Sequence, residues 1–484
     1  MKIAGFFRNL ITIMFSNGVL LVSQVLVGIV LPKILTISDF GNYRIFMLYC
    51  SYASLLHFGF VDGVLVKYGG INVNSLSKNK LSQLFSFFFF LEFFISLTII
   101  IVSVFFFRGK YQLIFFAVGT YTIIFNFVTA FQFLSQALMN FGIVARMNSV
   151  LAILNIINIG LPFLLLNFHV MRKFMYYNYI LLYLCSYIII LFIYVYHFIF
   201  KIKLIHFTLK CKRSDVIEIF KIGLPITIAS QIANITLNLD NQFVSLFFST
   251  NEFAIYSFSY NLISLTISIV LAISTVLFPY LNRQKKNELI NNYTPKMAFM
   301  LLFIYATLFS YYPVEFIIKF ILPEYTSALG YFRVLLPGVA ITTSITTIIF
   351  NHYKVIGNMG SYLSNGIISL LLSLGLYIIS YNMFHSIYIL AYASLVALFI
   401  WFFLEDYSFR KRFNIIRINE YLYIICITFW FQLVTFFFNN IVSFMLYLFG
   451  YIILSYLFER KYFVVDYRMK LATQLVVNKK RHSA

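Results

Sequence analysis

Apolar runs of about 20 residues recur along the chain between short polar or basic stretches, and a helix of that length crosses about 30 Å of hydrocarbon. The runs predict fourteen membrane-spanning helices. In the first half they fall at 10–32, 43–66, 82–107, 112–138, 147–168 and 175–200. The second half gives 222–248, 254–281, 297–318, 331–353, 361–381, 385–404, 420–438 and 440–458. The first run follows Lys2 and Arg8 as a signal peptide would. It is long enough to span and shows no small-residue cleavage site, so it is expected to be a retained helix. The predicted class is an all-α integral membrane protein, with no connection long enough to hold a soluble domain.

Composition agrees. Of 484 residues, 62% are apolar and 11% charged, against about 45–50% and about 25% in soluble domains. The 60 Phe and 36 Tyr leave no stretch poor enough in bulky residues for a long disordered tail. A net charge of +21 would raise nucleic acid as a partner, but that needs cations gathered on one aqueous face. Here Lys and Arg sit between apolar runs, so charge reports topology and no nucleic-acid partner is expected. Most of the 36 Lys and Arg fall on the side of the N-terminus, which predicts both termini in the cytoplasm. Cys50, Cys185, Cys211 and Cys426 lie far apart, without CxxC or zinc-type His spacing. No disulfide framework, metal site or cofactor is expected.

A long repeat is visible. Residues 36–43 read TISDFGNY and residues 249–256 read STNEFAIY, with hydroxyl, acid, Phe, small residue and Tyr in the same order. Gly142 with Gly357 and Gly160 with Gly375 recur at one shared spacing. Two pseudo-symmetric six-helix lobes follow, at 1–200 and 222–404, joined by a cytoplasmic linker at 201–221. Two extra helices and a basic tail occupy 405–484. Six is even, so the repeats are parallel and a cavity is expected between them.

The seventh span carries Thr227, Gln231, Asn234, Asn238, Asn241, Gln242 and Ser245 within about a third of its circumference. Such a stripe faces water or a polar ligand, or else bonds neighbouring helices together. The first span has a smaller version in Ser16, Asn17, Ser23 and Gln24. Asp240 lies off the stripe, which implies either a helix break or a local partner. Asp62, Glu92 and Asp240 are the deep acids. Each is expensive in a membrane and is a candidate for ion coupling or for a structural role. The cations Lys33, Arg44, Lys67, Arg146, Arg333 and Lys354 are candidates for holding phosphate, Arg through bidentate contact. Snorkelling to the interface is the competing explanation.

No GxxxxGK[ST], HExxH or GxSxG occurs, and the outward loop 33–43 has the single acid Asp39, so no bond-making machinery is visible. The segment ILTISDFGNYRIFMLYCSYASLLHFGFVDGVLVKYGG, residues 34–70, resembles the opening of bacterial polysaccharide flippases, the Wzx-type carriers of O-antigen lipid-linked oligosaccharide. These belong to the multidrug, oligosaccharidyl-lipid and polysaccharide exporter superfamily. Residues 223–262, GLPITIASQIANITLNLDNQFVSLFFSTNEFAIYSFSYNL, resemble that family's seventh and eighth helices. Phe40, Gly41, Tyr43, Lys67 and Tyr68 match its pattern. Asp240 fits as well, whereas Asn241 stands where the family often has a basic residue. The resemblance implies an alternating-access, ion-coupled carrier of undecaprenyl-pyrophosphate-linked oligosaccharide in the bacterial cytoplasmic membrane. As partners it implies the lipid-linked substrate, a polysaccharide polymerase and a chain-length regulator. A drug antiporter of the same superfamily and a membrane polymerase are the alternatives.

Overall fold

A computed structural model describes residues 3–70, 76–170, 172–208, 212–264, 266, 290–356, 359–415 and 418–463. Most of the described residues are helical, with no strand among them. This follows from the solvent: hydrocarbon offers no partner for a backbone amide, so each spanning segment must satisfy its own. Among the described residues ten helices are long and apolar enough to cross a membrane, or up to thirteen if each bent pair counts as one span. Thirteen of the expected spans are thereby matched in position. The remaining one, 254–281, runs onto residues 265 and 267–289, outside the described residues. Gly357 and Cys211 also lie outside them; Cys50, Cys185 and Cys426 are free.

The chain forms two compact units, Met1–Asn261 and Leu262–Ala484. The first contains α1 (Ile3–Ile34), α2 (Ile37–Cys50), α3 (Phe60–Tyr68), α4 (Lys78–Phe106), α5 (Lys110–Ala137), α6 (Phe141–Asn167), α7 (Tyr176–Val195) and α8 (Arg213–Phe247), followed by most of α9, a helix at 250–264. The expected linker 201–221 is shorter than its charge suggested, because α8 already begins at Arg213. The seventh span, assigned to the second lobe on the repeat, packs with the first unit.

Rings fill the centre of this unit. Phe60 stacks on Phe88 at 4.2 Å, Phe85 on Phe131 at 5.4 Å and Phe131 on Phe198 at 5.3 Å. Phe105 and Phe106 on α4 are about four-fifths exposed, as lipid-facing side chains are. Where α1 meets α6, polar pairs replace the hydrophobic drive that lipid cannot supply. Asn148 donates to Asn17 at 2.7 Å and Asn155 to the Ser23 hydroxyl at 3.2 Å. Asn158 donates to Ser186 on α7 at 2.9 Å.

The second unit contains α10 (Tyr293–Thr307), α11 (Tyr311–Ile321), α12 (Ala328–Leu335), α13 (Gly338–Thr343), α14 (Phe350–Ile356), α15 (Met359–Phe384), α16 (Ile387–Arg412), α17 (Asn419–Phe437) and α18 (Asn440–Phe463). Tyrosine hydroxyls tie its helices together. Tyr447 donates to the Tyr305 carbonyl at 2.8 Å, Tyr451 to the Leu302 carbonyl at 2.8 Å and Tyr312 to the Ser443 carbonyl at 3.0 Å. Each is an apolar ring with one polar atom, a side chain that packs in a membrane interior once that atom is bonded.

Candidate functional site

The second span is broken. α2 ends at Cys50, a tight turn follows at Ala53–Leu55, and α3 starts at Phe60, with the two halves bent by 49°. Phe58 and Gly59 take the left-handed region, with φ of 47° and 89°, and Gly59 meets that demand without a Cβ penalty. Gly59 and Gly63 are four apart on one face, and this face lies on α8 at Gly223. A Cβ on Gly223 would overlap the Gly59 carbonyl oxygen, and one on Gly63 the Ile219 carbonyl oxygen. This is the small-residue approach by which membrane helices bring backbones together.

The polar stripe of α8 is spent along the same seam. Thr227 donates a short hydrogen bond to Asp62. Gln231 donates to the Ser54 hydroxyl at 2.9 Å, Asn234 to the Ser51 carbonyl at 3.1 Å and Gln242 to the Tyr49 hydroxyl at 3.1 Å. Asn238 donates to the Asn234 side chain at 3.0 Å. The stripe therefore joins the seventh span to the broken second one. A break frees backbone carbonyls that hydrocarbon cannot satisfy, and Asn234 covers the one at Ser51.

Asp240 sits one face away, 1% exposed. It accepts from Tyr256 at 2.7 Å, closely from Tyr260, and from the Asn241 amide at 2.7 Å. It therefore has local partners, and the seventh span is also bent, by 46° between Ile232 and Asn234, two turns before it. Asn241 is buried beside it.

Lys67 pairs with Glu218 at 2.8 Å, closing one end of the seam. Arg44 donates to the Asn261 side chain at 2.8 Å. Arg333, in the second unit, donates to the Thr435 carbonyl at 3.3 Å and lies over the Phe436 ring. Lys33, Arg146 and Gln24 are exposed. The Lys354 side chain lies outside the described residues. Glu92 is wholly buried on α4 and accepts from Asn126 at 2.9 Å.

The repeated motif builds the same device twice. Thr36 caps α2: its hydroxyl accepts from the Asp39 amide at 3.1 Å and donates to the Asp39 carboxylate at 2.7 Å. Ser249 does the same for α9, accepting from the Glu252 amide at 3.3 Å, while Glu252 accepts from the Ser249 amide at 2.9 Å and from its hydroxyl at 2.7 Å. These are hydroxyl-to-acid capping boxes. The copies touch, with Phe40 against Phe258 at 6.1 Å and Gly41 against Thr250 and Ala254. By contrast Gly142, Gly160 and Gly375 face open space, so packing gives no reason for their recurrence.

Sequence reasoning missed a buried ionic cluster in the second unit. Asp406 accepts from Arg410 Nε, from Tyr293 and from Tyr421, each at 2.5 Å. Glu420 lies 3.8 Å from Arg410, and the guanidinium faces the Tyr293 and Tyr421 rings. Glu405 accepts from Asn365 at 3.3 Å. Glu405, Asp406 and Glu420 are wholly buried and Arg410 is 3% exposed. The pattern EDYSFR, with acid and base four apart at the end of a span, was the available signal. Among the described residues no group of three or more His, Cys, Asp or Glu is arranged to hold a metal.

No protein-family model matches the chain, and no curated protein does. Solved structures do. The lipid II flippase MurJ in an inward closed conformation superposes with a TM-score of 0.62 at 13% identity, over 94% of this chain and 99% of that one. An inward-facing multidrug resistance MATE family transporter of the MOP superfamily gives 0.61 at 13% identity, over 84% and 98%. A MOP superfamily transporter from Pyrococcus furiosus gives 0.52 at 13% identity, over 84% and 96%. The chain is an all-α membrane protein with the fold that these MATE and MurJ structures share.

Proposed function

We propose that this protein is a transporter of the superfamily that contains MATE and MurJ. In this reading it works as a flippase carrying undecaprenyl-pyrophosphate-linked oligosaccharide from the inner to the outer leaflet of a bacterial cytoplasmic membrane. Both termini are cytoplasmic, and a polysaccharide polymerase and a chain-length regulator are its partners. The observation that carries this reading is the extent of the fold match, 94% of the chain with a lipid-linked-substrate flippase against 84% with the MATE transporters. One further feature supports it: the apolar runs continue for two spans beyond a twelve-helix repeat. Of the candidate cations, Arg44 and Arg333 are the arginines that are half-buried, one in each unit, and each is tested for a part in holding the pyrophosphate head.

The test is complementation. Expressed in a strain deleted for its own polysaccharide flippase, the protein restores surface polymer, and Arg44→Ala with Arg333→Ala lowers it. No polymer from the wild-type chain, at normal membrane abundance and across several repeat-unit types, overturns the reading. The MATE match favours a second one, export of cationic drugs. Raised drug resistance without polymer would select it.

A further inference from the structure

We infer that Glu92 and Asn126 form a proton-binding site, in which a neutral Glu92 carboxylic acid pairs with the Asn126 amide and the pair clasps the break in the second span. The inference takes its purpose from the transport reading above, but its chemistry stands on the geometry alone. Glu92 on α4 and Asn126 on α5 are both wholly buried. Asn126 Nδ2 donates one hydrogen to Glu92 Oε2 at 2.9 Å and the other to the Ala53 carbonyl at 3.2 Å, at the turn that interrupts the second span. Two acceptors fix which end of the amide is nitrogen. The remaining atoms, Glu92 Oε1 and Asn126 Oδ1, are both oxygens, buried, without a donor.

One hydrogen resolves both. With a proton on Oε1, the acid donates to Oδ1 while Oε2 accepts from Nδ2, and the two planar groups close a ring of two antiparallel hydrogen bonds. An ionised carboxylate here would carry full charge in a span interior on a single hydrogen bond, at several kcal/mol in hydrocarbon. Among the described residues no other donor bonds it. On α4 the Ser96 hydroxyl one turn on is spent on the Gly119 carbonyl, and on α5 Thr122 bonds the Val118 carbonyl. At the break, His57 Nδ1 accepts from the Gly59 amide, and Tyr52 packs its ring on Tyr49. Among the described residues no Lys, Arg or His forms an ion pair with Glu92.

Loss of the proton leaves Glu92 Oε1 and Asn126 Oδ1 with no hydrogen to share, and their repulsion turns the Asn126 amide away from its present bonds. Ala53 then loses its donor, and the break in the second span is released. Proton occupancy at Glu92 thereby sets how firmly residues 51–59 are held, the segment that also carries the seam to α8.

The test uses the purified full chain in lipid nanodiscs. Glu92→Gln keeps the ring, because a primary amide offers the same donor and acceptor, so folding is preserved. Infrared spectra at neutral pH show a neutral carboxylic C=O stretching band in the wild type that Glu92→Gln removes. Hydrogen exchange over residues 51–60, compared between wild type and Glu92→Gln at matched pH, is equal at neutral pH and faster in the wild type under alkaline conditions. A band untouched by the substitution means the carboxyl is ionised, and equal exchange at every pH means it does not clasp the break; either result overturns the inference. Neither measurement involves transport, so the flippase reading can fail without touching this one.

Discussion

Gly41 lies so close to Thr250 that a Cβ built on it would stand 2.5 Å from the Thr250 carbonyl oxygen and 3.2 Å from the Cβ of Ala254. Gly41 and Ala254 hold the same place in TISDFGNY and STNEFAIY, so the repeat meets itself at its smallest side chains. Gly41→Ala is expected to lower stability by about 1–3 kcal/mol, since backbone rather than a flexible side chain must move. A thermal melt of the purified protein checks it. An unchanged midpoint would mean the two helix starts are not pressed together.

The two capping boxes make a paired prediction. Thr36→Ala and Ser249→Ala each remove the acceptor for an otherwise orphaned helical amide, and each should cost about 0.5–2 kcal/mol. Thr36→Ser keeps the oxygen and should recover most of the loss. If the alanine variants melt with the wild type, the caps contribute nothing and the motif recurs for another reason.

Lys67 distinguishes a seam residue from a substrate residue. Its partner Glu218 is about half exposed, so the pair is screened and should couple by less than about 1 kcal/mol in a double-mutant cycle. If Lys67 acts through that pair, Lys67→Ala and Glu218→Ala reduce polymer export alike, and the exchanged pair Lys67→Glu with Glu218→Lys restores it. Loss of export in Lys67→Ala alone, with Glu218→Ala active, would assign the ammonium to the substrate.

The helices were legible because twenty apolar residues in a row carry a message that no tertiary contact rewrites, and the span positions followed. The turn at 51–59 was not. Its signal is Gly59 and Gly63, whose meaning depends on Gly223, a partner far away in the chain. The same holds for the α8 stripe. Its composition showed that polar atoms needed partners, but only the fold shows that Ser51, Ser54 and Asp62 supply them. The end of the twelfth span was missed for a different reason. Hydropathy counts Glu405, Asp406 and Arg410 as three polar residues and stops the helix at 404, although Asp406 and Arg410 neutralise each other inside and the helix runs on to Arg412.

Arg410 is the cation that cannot be removed without consequence. It lies against Asp406 at 2.5 Å and 3.8 Å from Glu420, with all three side chains buried. Arg410→Ala would strand two carboxylates, a class of change that costs about 3–5 kcal/mol. Lys in its place supplies charge but neither the planar fork nor the stacking on Tyr293 and Tyr421, so Arg410→Lys should recover only part. Arg410→Met combined with Asp406→Leu and Glu420→Gln removes charge from every corner and should be far milder than Arg410→Ala alone. The comparison is read from thermal midpoints in detergent at low and high salt, where a pair this buried should show almost no salt dependence. Equal midpoints for Arg410→Ala and the wild type would mean that Asp406 and Glu420 carry protons in the folded chain and never needed the guanidinium.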